Sequence, residues 1–245
     1  MRDYNLGFIR NEMIYEVVKK TISRYSLAMD LKSFNRNLID PVKLTFDLKV
    51  YNKNWDEIIE FEVLRQMDKT NSNAIGFFHQ QLFSEIGNGW EVPRTGFDIV
   101  NRERHIFVEL KNKHNTMNSS SSQKTYIKMQ GQILEDDEAT CMLVEVIAKR
   151  SQNVKWNLSL NGKHIGNKNI RRVSIDKFYD LVFGEPRAFF KLCMALPDVI
   201  DDVLAENSIR VGRNTVLDEL KELSPDIRKS LFLMAFKTYD GFDEL

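Results

Sequence analysis

The chain has few cysteines, prolines and glycines, and it carries no net charge. Its two cysteines, Cys141 and Cys193, lie in apolar surroundings ("TCMLVEV", "FFKLCMAL") and form no CxxC or Cys/His cluster. That excludes a disulfide framework and a thiolate metal site, and both read as reduced core residues. The glycines are scattered and build no phosphate-cradling loop, so nucleotide hydrolysis has no support, and the four histidines lack zinc-site spacing. Formal net charge is zero and the pI is about 6.9, so any attraction to phosphates must come from local clusters. Nowhere do 18 consecutive apolar residues occur, and "MRDYNLGFIRNEM" has no apolar leader segment. A soluble cytoplasmic protein with no membrane partner is expected.

What is present is 245 residues with 42% hydrophobic content, enough for a single domain. Three parts are expected: a helical front part over 1–90, an α/β core over about 91–160, and a loop with a helical tail over about 161–245. Residues 8 to 28 have helical spacing, and a strand is expected over 43–51. "WDEIIEFEVLRQMDKT" and "SNAIGFFHQQLFSEIG" read as two helices, the second capped by Ser72 or Asn73. From residue 96 the period changes to two: "FDIVN" and "HIFVELK" alternate around "NRER", as a hairpin does. A polar loop, a helix over "SQKTYIKMQGQILED" and the β-branched run "TCMLVEVIAKR" follow. That order implies a right-handed crossover and a mixed sheet. "VKWNLSLNGK" suits an edge strand, "HIGNKNIRR" an exposed loop, and "SIDKFYDLVFGEP" a short helix capped by Ser174 and stopped at Gly184. Further helices are expected from Pro186, from Pro197 and from the Ser224–Pro225 cap.

Within this pattern, "HIFVELKNKHNTMNSSSS" places two charged residues inside an apolar strand, just before a polar loop. Side chains alternate along a strand, so Phe107, Glu109 and Lys111 share one face and Ile106, Val108 and Leu110 the other. Pairing across "NRER" sets residues whose numbers sum to about 205 opposite each other, which brings Asp98 to position 107, one same-face step from Glu109. Asp98, Glu109 and the Leu110 carbonyl offer the hard oxygen ligands that Mg²⁺ prefers, while Lys111 can orient a water and offset charge on a phosphate. A solvated cross-strand salt bridge is the plainer reading of Glu109 and Lys111.

Asp98, ten intervening residues and then Glu109-Leu110-Lys111 resemble the PD-(D/E)XK nuclease signature, with "RTGFD" in place of its Pro-Asp half. The wider stretches "RQMDKTNSNAIGFFHQ", "GWEVPRTGFDIV", "FVELKNKHNTMNSSSSQKTYIKMQ" and "SIDKFYDLVFG" resemble a group of type II restriction endonucleases that cut GGNCC. The resemblance runs from about residue 35 to 185 and is most specific at "ELKNKHNTMNSSS". It implies an α/β fold, with a PD-(D/E)XK nuclease-like mixed central sheet flanked by helices and with helical N- and C-terminal additions. It further implies Mg²⁺-dependent cleavage of double-stranded DNA by a homodimer. Nucleases of this fold often borrow a helical glutamate, for which Glu62 and Glu85 are the candidates.

Candidate DNA contacts come from three places. Lys113, His114, Asn115, Asn118 and Ser119 lie on the loop leaving the strand after Lys111, and Gln123, Lys124 and Lys128 lie on the polar side of the next helix. Lys163, Lys168, Arg171 and Arg172 make a local basic patch in a neutral chain. Each has a bland counterpart: a flexible linker, a solvated helix face, a surface loop. Two other functions compete, a DNA-binding module whose acidic cluster is only structural, and a nuclease of the same fold acting on branched or mismatched DNA. His79, in "FFHQQ", reads as a core histidine.

Overall fold

The computed structural model describes residues 2–115, 117–160 and 162–242. The elements in chain order are helices α1 (Asn11–Ile22), α2 (Leu31–Asn35), α3 (Pro41–Val50) and α4 (Trp55–Glu85), then strands β1 (Trp90–Glu91), β2 (Ile99–Asn101) and β3 (Ile106–Lys113). Helix α5 (Ser119–Glu135) leads to β4 (Thr140–Ile147), β5 (Asn153–Leu160) and β6 (Lys163–Ser174), and helices α6 (Ile175–Phe183), α7 (Ala188–Asn207), α8 (Val216–Leu223) and α9 (Ile227–Phe236) close the chain. These residues form two compact units, Met1–Ser23 with Ala74–Asn207, and Arg24–Asn73 with Ser208–Leu245. No helix among the described residues is long and apolar enough to cross a membrane.

The first unit carries the expected mixed sheet, in the order β1-β2-β3-β4-β6-β5. Strands β1, β2 and β3 pair antiparallel, β3, β4 and β6 pair parallel, and β5 returns antiparallel along the edge. Helix α5 makes the β3-to-β4 crossover, burying Tyr126 and Met129 against Phe107, Cys141, Leu143, Trp156 and Ile170. Strand β4 is buried from Cys141 to Glu145, as its β-branched run requires. Gly184 ends α6 at φ 66°, a left-handed conformation that costs glycine no Cβ clash. In the second unit Phe34, Leu44, Ile59, Val63, Leu220 and Leu231 form the core.

Several local expectations are corrected. The stretch 43–51 alternates Leu44, Phe46, Leu48 and Val50 like a strand, yet it folds as α3. Asp40 caps the Lys43 amide at 3.0 Å and Pro41 occupies the first turn, so the start signal overrides the alternation. The two helices expected over 55–87 are one 31-residue helix, with Ser72 and Asn73 in its interior rather than at a cap. "HIGNKNIRR" is strand β6, not a loop: its polar outer half pairs with β5 and only the part from Ile170 onward is inserted beside β4. Helix α7 runs through Pro197, held by the buried stripe of Leu192, Ala195, Val199 and Val203, and α9 is capped by Asp226 instead of Ser224.

His79 of α4 is buried, with Nδ1 3.0 Å from the Tyr179 hydroxyl of α6. Burial pushes its pKa down from 6.5 to about 4. The unfolded imidazole therefore takes up a proton below pH 6.5 while the folded one stays neutral to about 4, so stability falls as pH drops through that window. The loss by pH 4 is on the order of 3 kcal/mol. Urea unfolding of His79→Gln should show this component removed: the parent's advantage over the variant at pH 7 shrinks or reverses at pH 4.5.

Candidate active site

The site grows from the β2–β3 hairpin. Its turn covers Arg102 to His105, one residue later than "NRER", because the Asn101 side chain accepts from the Arg104 amide at 3.0 Å and His105 takes a left-handed φ of 51°. Ile99 consequently faces Val108, and Val100 faces Phe107. The ladder ends there, and Asp98, one residue outside it, lies beside Val108 and Leu110 rather than opposite residue 107. The Asp98 amide donates to the Val108 carbonyl at 2.9 Å, and the Leu110 amide donates to Asp98 Oδ2 at 2.8 Å. The second bond pins the Asp98 carboxylate against β3.

Glu109 is 8% exposed and lies on the α5 side of the sheet with Phe107. Its Oε2 is 3.4 Å from Lys111 Nζ on the same strand. Its Oε1 is held by Lys128 Nζ, which comes from α5, donates also to the Gly96 carbonyl at 2.7 Å and sits 4.4 Å from the Phe97 ring centroid. Burial, above all, pushes the Asp98 carboxyl above its usual range. The Leu110 amide pulls it back, the neighbouring Glu109 charge pushes it up again, and Lys111 and Lys128 pull down.

Beside this pair lies a second charged cluster. Glu145 of β4 is fully buried and faces Lys111 in the parallel register. It accepts from Arg172 Nε of β6 at 2.8 Å, from Arg172 Nη2, and pairs with His114 Nδ1 at 3.0 Å; Arg172 Nη2 also reaches the His114 carbonyl at 3.1 Å. The cluster ties the carboxyl ends of β3, β4 and β6 together and fixes the start of the loop after Lys113.

The other sequence candidates are placed as follows. Asn115 is exposed, Asn118 caps α5 by accepting from the Ser121 amide at 2.8 Å, and Ser119 opens that helix on its exposed side. Lys113 and Lys124 are exposed, and Gln123 donates to the Ser159 carbonyl at 3.2 Å. Lys163 and Lys168 are exposed on β6, whereas Arg171 is bonded to Asn153 of β5 at 2.9 and 2.6 Å. His114 and Arg172 are held by Glu145. Thr116 in the polar loop and Asn161 before the basic patch lie outside the described residues. Of the helical glutamates, Glu62 of the second unit is bound by Arg65 at 2.6 and 2.7 Å and by Gln66 at 3.0 Å, and Glu85 of the first pairs with Lys20 at 3.1 Å.

Among the described residues no group of three or more His, Cys, Asp or Glu side chains converges, so a hard cation at this place would rest on Asp98 and Glu109 with backbone oxygen such as the Leu110 carbonyl. Their chemistry fits such an ion. Two neighbouring carboxylates withdrawn from water, with the Asp98 carboxyl pushed up by burial and in part by the Glu109 charge, are what a divalent cation relieves.

Glu145 escapes the sequence reading, and Lys128 enters it only as part of a solvated or DNA-facing helix side. Glu145 is signalled: a carboxylate inside "CMLVEV" must be paired if that strand is buried on both faces. Lys128 lies on Glu109 instead, because the packing of α5 on the sheet turns it there. Truncating one member of a buried ion pair costs about 3–5 kcal/mol. Glu145→Ala should accordingly lower the free energy of unfolding by that much, read in urea as a lower midpoint with an unchanged denaturant slope.

With this geometry in view, comparison with known proteins is direct. Residues 6–205 match the family described as Eco47II restriction endonuclease. The chain is 28% identical over 224 residues to the type II restriction enzyme Sau96I of Staphylococcus aureus, covering 86% of each chain. It is also 28% identical over 214 residues to the type II restriction enzyme Eco47II of Escherichia coli, covering 82% of this chain and 89% of that one. A match over most of the sequence settles the family: the chain belongs to the Eco47II restriction endonuclease family and is a type II restriction enzyme.

Proposed function

We propose that the chain acts as a homodimer which, with Mg²⁺, hydrolyses both strands of double-stranded DNA at a short palindrome of the GGNCC type. The observation that carries this reading is the convergence of Asp98, Glu109 and Lys111 at the hairpin, with Asp98 pinned by the Leu110 amide. The likeness to Sau96I supports the GGNCC target. A two-fold target cut on both strands calls for a two-fold protein. PD-(D/E)XK chemistry is assigned to Asp98, Glu109 and Lys111 by their spacing and their placement.

In this mechanism Asp98 and Glu109, with the Leu110 carbonyl, hold the ion. Bound Mg²⁺ supplies Lewis-acid stabilisation of charge developing on the phosphate. Lys111 orients the attacking water and faces that charge with its ammonium. A bond from the water oxygen to phosphorus forms as the opposite bond from phosphorus to a sugar oxygen breaks, in line. The exposed Lys113, Asn115, Lys124, Lys163 and Lys168 are the candidates for phosphate or base contact. His114, Arg171 and Arg172 shape the surface from which those contacts are made.

The test is digestion of plasmid DNA of known sequence with and without Mg²⁺, followed by sequencing of the fragment ends. Discrete double-strand fragments ending within GGNCC are expected, only with the metal. Asp98→Asn, Glu109→Gln and Lys111→Met should each slow cutting by roughly a hundredfold or more. Binding without cutting would turn the reading to a DNA-binding module, and cutting of branched DNA alone would turn it to a structure-specific nuclease.

A further inference from the structure

Lys128 contacts Glu109 at this site, yet neither the spacing of the motif nor the proposed chemistry uses it. We propose that it is the counter-cation that keeps Asp98 and Glu109 assembled in the metal-free protein, and that it must withdraw from Glu109 before a divalent cation can bind. This deepens the reading of those carboxylates as metal ligands and rests on it.

The surroundings of its ammonium carry the inference. A lysine on a helix surface normally keeps its head in water, on a stem with many rotamers. Lys128 instead spans from α5 to the sheet and places Nζ on Glu109 Oε1, on the Gly96 carbonyl at 2.7 Å and over the Phe97 ring at 4.4 Å. A carboxylate oxygen and a carbonyl oxygen are also the donor types that a hard divalent cation takes. Lys128 thus occupies a metal-type donor set with a single positive charge.

Charge balance gives it a reason. Asp98 and Glu109 lie close enough, away from full solvent, for the Glu109 charge to act on Asp98, and Lys111 and Lys128 supply two positive charges against their two negative ones. A divalent ion entering beside both lysines would leave a surplus of positive charge, and it would compete with Lys128 for the same Glu109 oxygen. Lys111 need not move, because it contacts the other oxygen, Oε2, at 3.4 Å. An incoming phosphate diester brings the negative charge that lets ion and displaced ammonium coexist. Metal loading is therefore weak in the free protein and favoured by DNA.

Calorimetric titration of Ca²⁺ into the full-length, EDTA-stripped protein without DNA tests this. Lys128→Met and Lys128→Gln should bind Ca²⁺ more tightly than the parent, by roughly fivefold or more. Lys124→Met, which removes the same charge from the exposed side of the same helix one turn earlier, should change the affinity by no more than about twofold. The inference is overturned if the Lys128 variants bind with the parent's affinity or weaker, or if Lys124→Met tightens binding as much. Failure of the underlying reading has a different signature: Asp98→Asn would then take up Ca²⁺ as the parent and the Lys128 variants do, or none of the four would take up any.

Discussion

Two neighbouring carboxylates at a hairpin, out of full contact with water, are the constraint around which this site is organised. Left alone, a buried like-charged pair either takes up a proton or disperses, since each charge raises the cost of the other. Here both remain in place because the backbone and two lysines hold them. The Leu110 amide fixes one oxygen of Asp98, Lys111 reaches one oxygen of Glu109, and Lys128 reaches the other. Two ammonium groups thereby offset the two carboxylates in the protein alone, and under the proposed mechanism an entering cation must displace part of that balance.

The sheet explains how that arrangement is held. Strands β3, β4 and β6 run parallel and end together, so side chains near their carboxyl ends gather in a row where open α/β sheets commonly bind ligands. Glu145, Arg172 and His114 stitch those ends by ion pairs on the same side of the sheet as Glu109. Their burial makes the cluster costly to break and therefore rigid, and it fixes the point at which the polar loop departs toward α5. Of the candidate catalytic residues, Glu109 and Lys111 stand on β3 and Asp98 just before β2, whereas Lys113 to Lys124 among the candidate DNA contacts run from the end of β3 through the loop into α5.

Much of this was legible in the sequence, for identifiable reasons. The alternation of "HIFVELK" fixes the face shared by Glu109 and Lys111, and the buried run "TCMLVEV" fixes the crossover and the parallel neighbour. What was missed depends on contacts that local pattern does not encode. The hairpin turn lies one residue later than its composition suggests, since Asn101 ties the Arg104 amide. The alternating residues of α3 mimic a strand until the Asp40 cap is given its weight. Strand β6 hides because its outer half pairs with β5 alone and so stays polar. Arg171 and Arg172 look like free basic residues in the sequence, yet β5 and the buried Glu145 engage them, and no spacing rule announces that.

The central claim is that Asp98 and Glu109 together hold one divalent cation. Diffraction from crystals soaked in Mn²⁺, with data collected at the manganese edge, tests it most directly. The account predicts a single strong anomalous peak between the two carboxylates, with Lys128 moved off Glu109. An empty site at saturating Mn²⁺, or a peak elsewhere with Lys128 still on Glu109, would contradict it.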